Sequence, residues 1–161
     1  PFNRSKRNIR NYSRIKIFIV AFCWAAVTVL FPLTVELEVD YLNAITLFFQ
    51  RFIFVVVYTL PFEIRDLKFD SIKLKTIPQL YGLKKTKQLA YLLLILFLLI
   101  NFVIQPLSII YLFSDFIIAL ITAYVIYITK ENQAKHFASF WVESIPILWL
   151  LIIFLLKKSI R

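Results

Sequence analysis

The sequence predicts an all-α integral membrane protein, a multi-helix transmembrane bundle forming a single transmembrane domain over residues 1–161. Three observations predict it. The chain is 61% hydrophobic with a mean hydropathy of +0.80, far above the roughly 45–50% apolar share of a soluble domain. The apolar residues gather in five runs, each near or beyond the ~17 residues that cross a bilayer as a helix. The basic residues fall between the runs, and 15 of the 19 lie on one side, in residues 1–16, 62–87 and 130–136. The excess of Lys and Arg marks that side as cytoplasmic, so the expected location is the cell (inner) membrane, multi-pass, with the acidic and basic loop 61–87 inside. Lys157, Lys158 and Arg161 oppose this orientation weakly, and Arg51 lies within a run.

The first ten residues, Pro1 to Arg10, are polar and basic with no apolar core, so they are not a secretory signal. The chain contains no Met and is expected to be the C-terminal part of a longer protein. The first span covers about 15–33. It holds Cys23, the single cysteine, which can form no intrachain disulfide and is expected to be a small packing residue. After the acidic turn Glu36-Leu-Glu-Val-Asp40 comes the second span, about 41–60. Arg51 sits near its middle, where an arginine costs on the order of 2.5–3.5 kcal/mol and must face the protein interior.

The stretch Pro61-Phe-Glu-Ile-Arg-Asp-Leu-Lys-Phe-Asp70 follows. Glu63, Asp66 and Asp70 are spaced i, i+3 and i+7, which sets three carboxylates on one helical face over about 10 Å. Such carboxylates repel one another unless a cation lies between them, and a solvated helix end is the plainer reading. Next comes a lysine-rich segment from Ser71 to Lys87. Lysines of this kind meet anionic lipid headgroups, at roughly 1 kcal/mol each. Beside three carboxylates they also suit a magnesium ion and the phosphates it carries. Gly82, the only glycine, is expected to end a helical turn in the left-handed conformation.

The third span covers about 88–105, the fourth about 107–129 and the fifth about 137–156. Asp115 lies in the fourth at a depth like that of Arg51, so the two can pair if their helices touch. Glu143 stands three residues before Pro146, which can bend the fifth helix. A carboxylate at such a bend either faces the same cavity as Asp66 and Asp70 or hydrates itself at the interface. His136, the only histidine, has no Cys or His nearby and is expected to be solvent-exposed. Trp141 and Tyr127 suit an interfacial aromatic belt.

No G-x-S-x-G elbow, H-E-x-x-H pair, phosphate-binding glycine loop or cysteine cluster is present. The net charge of +10 is accounted for by orienting loops, and no nucleic-acid partner is inferred.

A helix ending in Tyr58-Thr-Leu-Pro-Phe-Glu-Ile-Arg-Asp-Leu-Lys-Phe-Asp70 and leading into Lys75-Thr-Ile-Pro-Gln-Leu-Tyr-Gly82 resembles the UbiA superfamily of intramembrane prenyltransferases. That family has nine spanning helices and two aspartate-rich cytoplasmic motifs. The second is of D-x-x-x-D type, matched by Asp66 and Asp70, with Glu63 one turn earlier and Lys75-Thr76 shortly after. Two spans before the motif and three after it match the family's fifth to ninth helices, so the resemblance covers essentially the whole chain.

The resemblance implies magnesium-dependent transfer of a prenyl chain from its diphosphate to an aromatic or other lipid-soluble acceptor. Asp66 and Asp70 would hold Mg²⁺, with Glu63 assisting, and Lys75 would bind phosphate oxygens together with Lys73 or Arg65. Tyr58 and Phe54 would face the allylic cation, and Arg51 and Glu143 would line the substrate cavity. The first aspartate motif would precede Pro1, so this segment alone is expected to be inactive. The implied partners are a prenyl diphosphate, the acceptor and membrane lipids. The competing expectation is a non-catalytic membrane protein, a transporter subunit or a lipid- or cation-binding member of the same fold.

Overall fold

The computed structural model describes residues 13–34, 40–68, 75–104, 106–133 and 138–159. Among them every regular element is helical. Helix α1 comprises Ser13–Ala25, a π-helical turn Ala26–Leu30 and a last turn Phe31–Leu33. Helix α2 is Tyr41–Asp66, α3 is Ile77–Ile100 and α4 is Ile109–Ile128. Helix α5 joins a π-helical turn, Ala138–Val142, to the α-helix Glu143–Ser159.

Among the described residues, four stretches are long and apolar enough to cross a membrane: Ile15–Leu33, Tyr41–Asp66, Ile109–Ile128 and Phe140–Lys158. They make this a membrane protein. Helix α3 is not among them, because Lys84, Lys85 and Lys87 stand in the eighteen residues that end at Ile100. The outward surface fits a lipid environment. Phe22, Leu92, Leu120, Ile147 and Phe154 are each more than half exposed, a pattern that a soluble monomer rarely shows as a continuous surface.

Helix α2 is the centre of the bundle, packed against α1 and α3, while α4 packs against α3 and α5. Five consecutive α2 residues, Phe54 to Tyr58, are buried. A helix buried on every side needs neighbours on every side. Helix α1 buries one narrow stripe, Ile17, Ala21, Ala25 and Val29, at steps of four. Small residues let helix backbones approach where lipid supplies no hydrophobic drive, and here alanine takes the part that a nearly glycine-free sequence denies to glycine. Cys23, expected in the packing, is exposed instead, because it falls off that stripe.

Of the connection expected over 61–87, residues 61–66 and most of 77–87 are helical. Asp40 caps α2 by accepting from the Leu42 and Asn43 amides at 3.1 and 3.2 Å, and α2 runs through Pro61 to Asp66. Proline removes one backbone donor; the Pro61 carbonyl in turn accepts from Gln133 Nε2 at 3.2 Å. Helix α3 starts at Ile77, after Thr76, whose backbone N–H donates to Gln79 Oε1 at 3.1 Å. It kinks at Gly82, with φ 75° and ψ 165°. Gly82 therefore ends the short helical turn that starts at Ile77, as expected, and a second helical stretch follows it; its φ is positive as expected, but its ψ is extended. Past the kink, Lys87 Nζ donates to the Tyr127 carbonyl at 2.7 Å and ties α3 to the end of α4.

A Cβ added at Gly82 would meet nothing within 4 Å, so substitution there is opposed by the backbone alone. Gly82→Ala is expected to destabilise the protein by about 1–3 kcal/mol, read as a lower thermal midpoint in detergent. An unchanged midpoint would show that the kink is not required.

Candidate functional site

Arg51, Phe54 and Tyr58 lie at i, i+3 and i+7 of α2 and so share one face. All three border a cleft of about 270 Å³ between α1, α2 and α5, together with Trp24, Pro146 and Trp149. The cleft wall is an aromatic cluster. Phe54 lies 4.7 Å from the Trp149 ring, 5.0 Å from Phe97 and 5.6 Å from Tyr58, centroid to centroid. The Arg51 guanidinium carbon lies 3.7 Å from the Trp149 ring centroid, in the range of a strong cation–π contact.

Arg51 and Asp115 are near neighbours but do not form an ion pair. The Asp115 carboxylate accepts instead from Trp149 Nε1 at 3.0 Å, Gln50 Nε2 at 3.1 Å and Ser114 Oγ at 3.4 Å. Gln50 Nε2 also reaches the Phe97 carbonyl at 3.4 Å. Trp149 thus binds Asp115 through its edge and Arg51 through its face, and it relays between the two charges. Asn101 stands beside Asp115, yet its Nδ2 meets no acceptor at hydrogen-bonding geometry, and neither does Arg51 Nη1.

At the other end of α2, Glu63 and Asp66 stand one turn apart on the last two turns. Arg65 Nε donates to Asp66 Oδ1 at 2.8 Å, and its guanidinium carbon lies 5.3 Å from the Phe62 ring. Glu63 and Lys75 are also engaged by neighbours. Lys75 has a φ of 52°, uncommon for a side-chain-bearing residue. Asp70 and Lys73 lie outside the described residues, as does His136. Among the described residues, no three His, Cys, Asp or Glu side chains gather into a group that could hold a metal ion. Glu63 and Asp66 are hard oxygen donors of the kind that suits Mg²⁺.

Glu143 is exposed at the start of the α-helical part of α5. The buried residues of that helix are Val142, Ile145 and Trp149, and Glu143 does not line the cleft. Tyr127 and Trp141 are exposed, as residues of an interfacial belt would be.

The structure therefore brings Arg51, Phe54 and Tyr58 together in one cleft and holds Asp66 about 12 Å further along the same helix from Tyr58. Trp149, Gln50, Asn101 and Ser114 are site residues that the sequence reading missed. Gln50 and Asn101 carried a signal, since an amide inside an apolar run must find a partner or remain costly. No protein-family model matches the chain, and no curated protein or solved structure shows significant similarity to it.

Proposed function

We propose that the chain belongs to an intramembrane prenyltransferase resembling the UbiA superfamily, which moves a prenyl group from its diphosphate to an aromatic or other lipid-soluble acceptor. In this reading the bundle has five spans, the apolar part of α3 supplying the fifth, and the connection after Asp66 faces the cytoplasm. The observation that carries it is the aromatic cleft of Phe54, Tyr58 and Trp149, with Tyr58 about two turns before Asp66 on the same helix, Asp66 opening the Asp-x-x-x-Asp motif of the sequence. A prenyl diphosphate needs both halves: carboxylates and cations for the head, and an apolar aromatic channel for the chain.

Asp66 and Asp70, with Glu63 beside them, would hold the diphosphate's Mg²⁺, and Lys75, Lys73 and Arg65 would bind its oxygens. When bound, Mg²⁺ supplies charge neutralisation of the leaving diphosphate. The C1–O bond of the prenyl diphosphate breaks, C1 joins the acceptor, and the acceptor loses a proton. Tyr58 lines the end of the cleft nearest the acids, where its ring faces the developing allylic cation. Phe54 and Trp149 then flank the chain.

One observation favours the second reading, a non-catalytic membrane protein. The 2.8 Å contact between Arg65 and Asp66 satisfies one carboxylate oxygen within the helix end itself.

The test is incorporation of a radiolabelled prenyl diphosphate into lipid-extractable product by the full-length protein in membranes, with Mg²⁺ or with EDTA. Magnesium-dependent transfer is expected. No transfer to any of a broad panel of acceptors would overturn the enzyme reading in favour of the non-catalytic one.

A further inference from the structure

The packing of α3 on α4 brings Lys87 and Lys130 together, and no ion pair neutralises either. The Lys87 ammonium donates to the Tyr127 carbonyl at 2.7 Å, one of the carbonyls that a helix end leaves without a helical partner. That bond uses one of the three N–H donors on the lysine. Burial, and then the neighbouring Lys130 ammonium, push the Lys87 pKa down. Among the described residues neither lysine pairs with a carboxylate, not even Lys130 with Glu131, the residue after it. Lys84 and Lys85, both exposed, precede Lys87 by less than a turn. Two phenols complete the rim. Tyr91 follows Lys87 by one turn and stands near the phenol of Tyr127, which is 71% exposed.

From this cationic end one seam runs along both helices. Lys87 near the start of α3 meets Tyr127 near the end of α4, so the two run antiparallel. Lys87, Tyr91 and Leu98 are spaced four and seven residues apart on α3, and Phe116, Leu120 and Tyr127 four and seven on α4, so each set keeps to one face. At the far end the same faces border an open apolar groove of about 270 Å³, lined by Leu98, Phe102, Leu112, Phe113 and Phe116. Phe113, Phe116 and Leu120 are each more than half exposed. Leu98 lies eleven residues beyond Lys87, and Phe116 eleven before Tyr127, each about 16 Å away. The hydrocarbon of one leaflet is about 15 Å deep, half of the core. A pair of cations at headgroup level is thus joined to an apolar groove at the depth where a lipid tail ends. A soluble anion would meet the lysines and leave the groove bare. An acidic peptide laid along the seam would carry unpaired backbone groups into an apolar surface. An anionic lipid suits both ends.

We propose that the seam between α3 and α4 binds an anionic phospholipid, its phosphate held between Lys87 and Lys130 and one acyl chain laid along the seam into the groove of Leu98 and Phe116. The Tyr127 hydroxyl is a further donor to the headgroup. The proposal does not depend on the transferase reading, since neither Asp66 nor the aromatic cleft enters it.

Photocrosslinking of the full-length protein in phosphatidylcholine nanodiscs tests it, with a trace of phosphatidylglycerol that carries a diazirine near the end of one acyl chain as the probe. The crosslink is expected within residues 98–102 or 112–116, and unlabelled phosphatidylglycerol should displace it. Phosphatidylcholine carrying the same diazirine should label these residues several-fold less. Lys130→Gln is expected to weaken binding about five-fold. Its side chain makes no described hydrogen bond, only its backbone N–H does, so the fold is retained. Lys87→Gln should weaken binding at least as much; because it also loses the tie to Tyr127, Lys130→Gln decides the matter if that variant does not fold. Lys157→Gln, near the end of α5, is expected to change nothing. Equal labelling by the two lipids, labels spread over the whole lipid-facing surface, binding unchanged in Lys130→Gln, an equal loss in Lys157→Gln, or displacement by inorganic phosphate would each overturn the proposal.

Discussion

Asp115→Ala is expected to destabilise the bundle by roughly 2–4 kcal/mol, and Asp115→Asn by less than about half of that. Three donors converge on this carboxylate: Gln50 from α2, Trp149 from α5 and the neighbouring Ser114 on α4 itself. Two of the three bonds, from Gln50 and Trp149, join helices, and such bonds average about 0.6 kcal/mol each and reach about 1.7 kcal/mol, so these two together set the lower bound. The upper bound comes from what alanine leaves behind. Removing the carboxylate strands the Arg51 charge in an apolar interior with no opposite charge near it, and an uncompensated buried charge is costly. Asparagine retains an acceptor for Trp149 but loses the charge, so its effect isolates the electrostatic part. Reversible unfolding in bicelles, followed by Trp fluorescence, would measure both. Equal losses for alanine and asparagine would show that the charge contributes little, and that Trp149 alone stabilises Arg51.

The legible part of this fold was its apolar periodicity, and the illegible part was helix adjacency. Runs of spanning length predicted the helices, and α2 and α4 were found close to where the runs stand. Arg51 and Asp115 drew attention because charge is expensive at that depth, and both are part of the buried cluster. Their mode of contact could not be read from spacing. Trp149 comes from α5, almost a hundred residues from Arg51, and no local pattern announces that its ring will sit between the two charges. The end of the second helix was legible only in part, since the span was read to about residue 60. Proline inside an apolar run suggests a helix end, yet α2 continues through it to Asp66, which turns an expected loop into two helical turns carrying Glu63 and Asp66. Gly82 was legible in its positive φ and in its place after the capped turn that starts at Ile77, but not in its extended ψ or in the helix that resumes directly beyond it.

Asp66→Asn is expected to lower prenyl transfer by about a hundred-fold or more, the scale seen when one group that stabilises transition-state charge is removed. The same substitution should barely affect stability. Its only described ion pair is with Arg65, and the two side chains are 24% and 36% exposed. Exposed pairs contribute about 0–1 kcal/mol. This separation between function and stability makes Asp66 the residue that decides between the two readings of the helix end. If Asp66 only pairs with Arg65 there, then Arg65→Ala and Asp66→Asn break the same contact and must have equal, small consequences. If Asp66 acts on the diphosphate, the two variants diverge. Arg65→Ala leaves the carboxylate in place and costs some phosphate binding, seen as a raised KM, whereas Asp66→Asn removes a group that the departing diphosphate needs and lowers kcat. Parallel measurement of transfer and of unfolding midpoint on both variants therefore reads the site directly. Divergence in kcat at equal stability requires a chemical role for Asp66, and matched behaviour in both measurements leaves only the pair with Arg65 at the helix end.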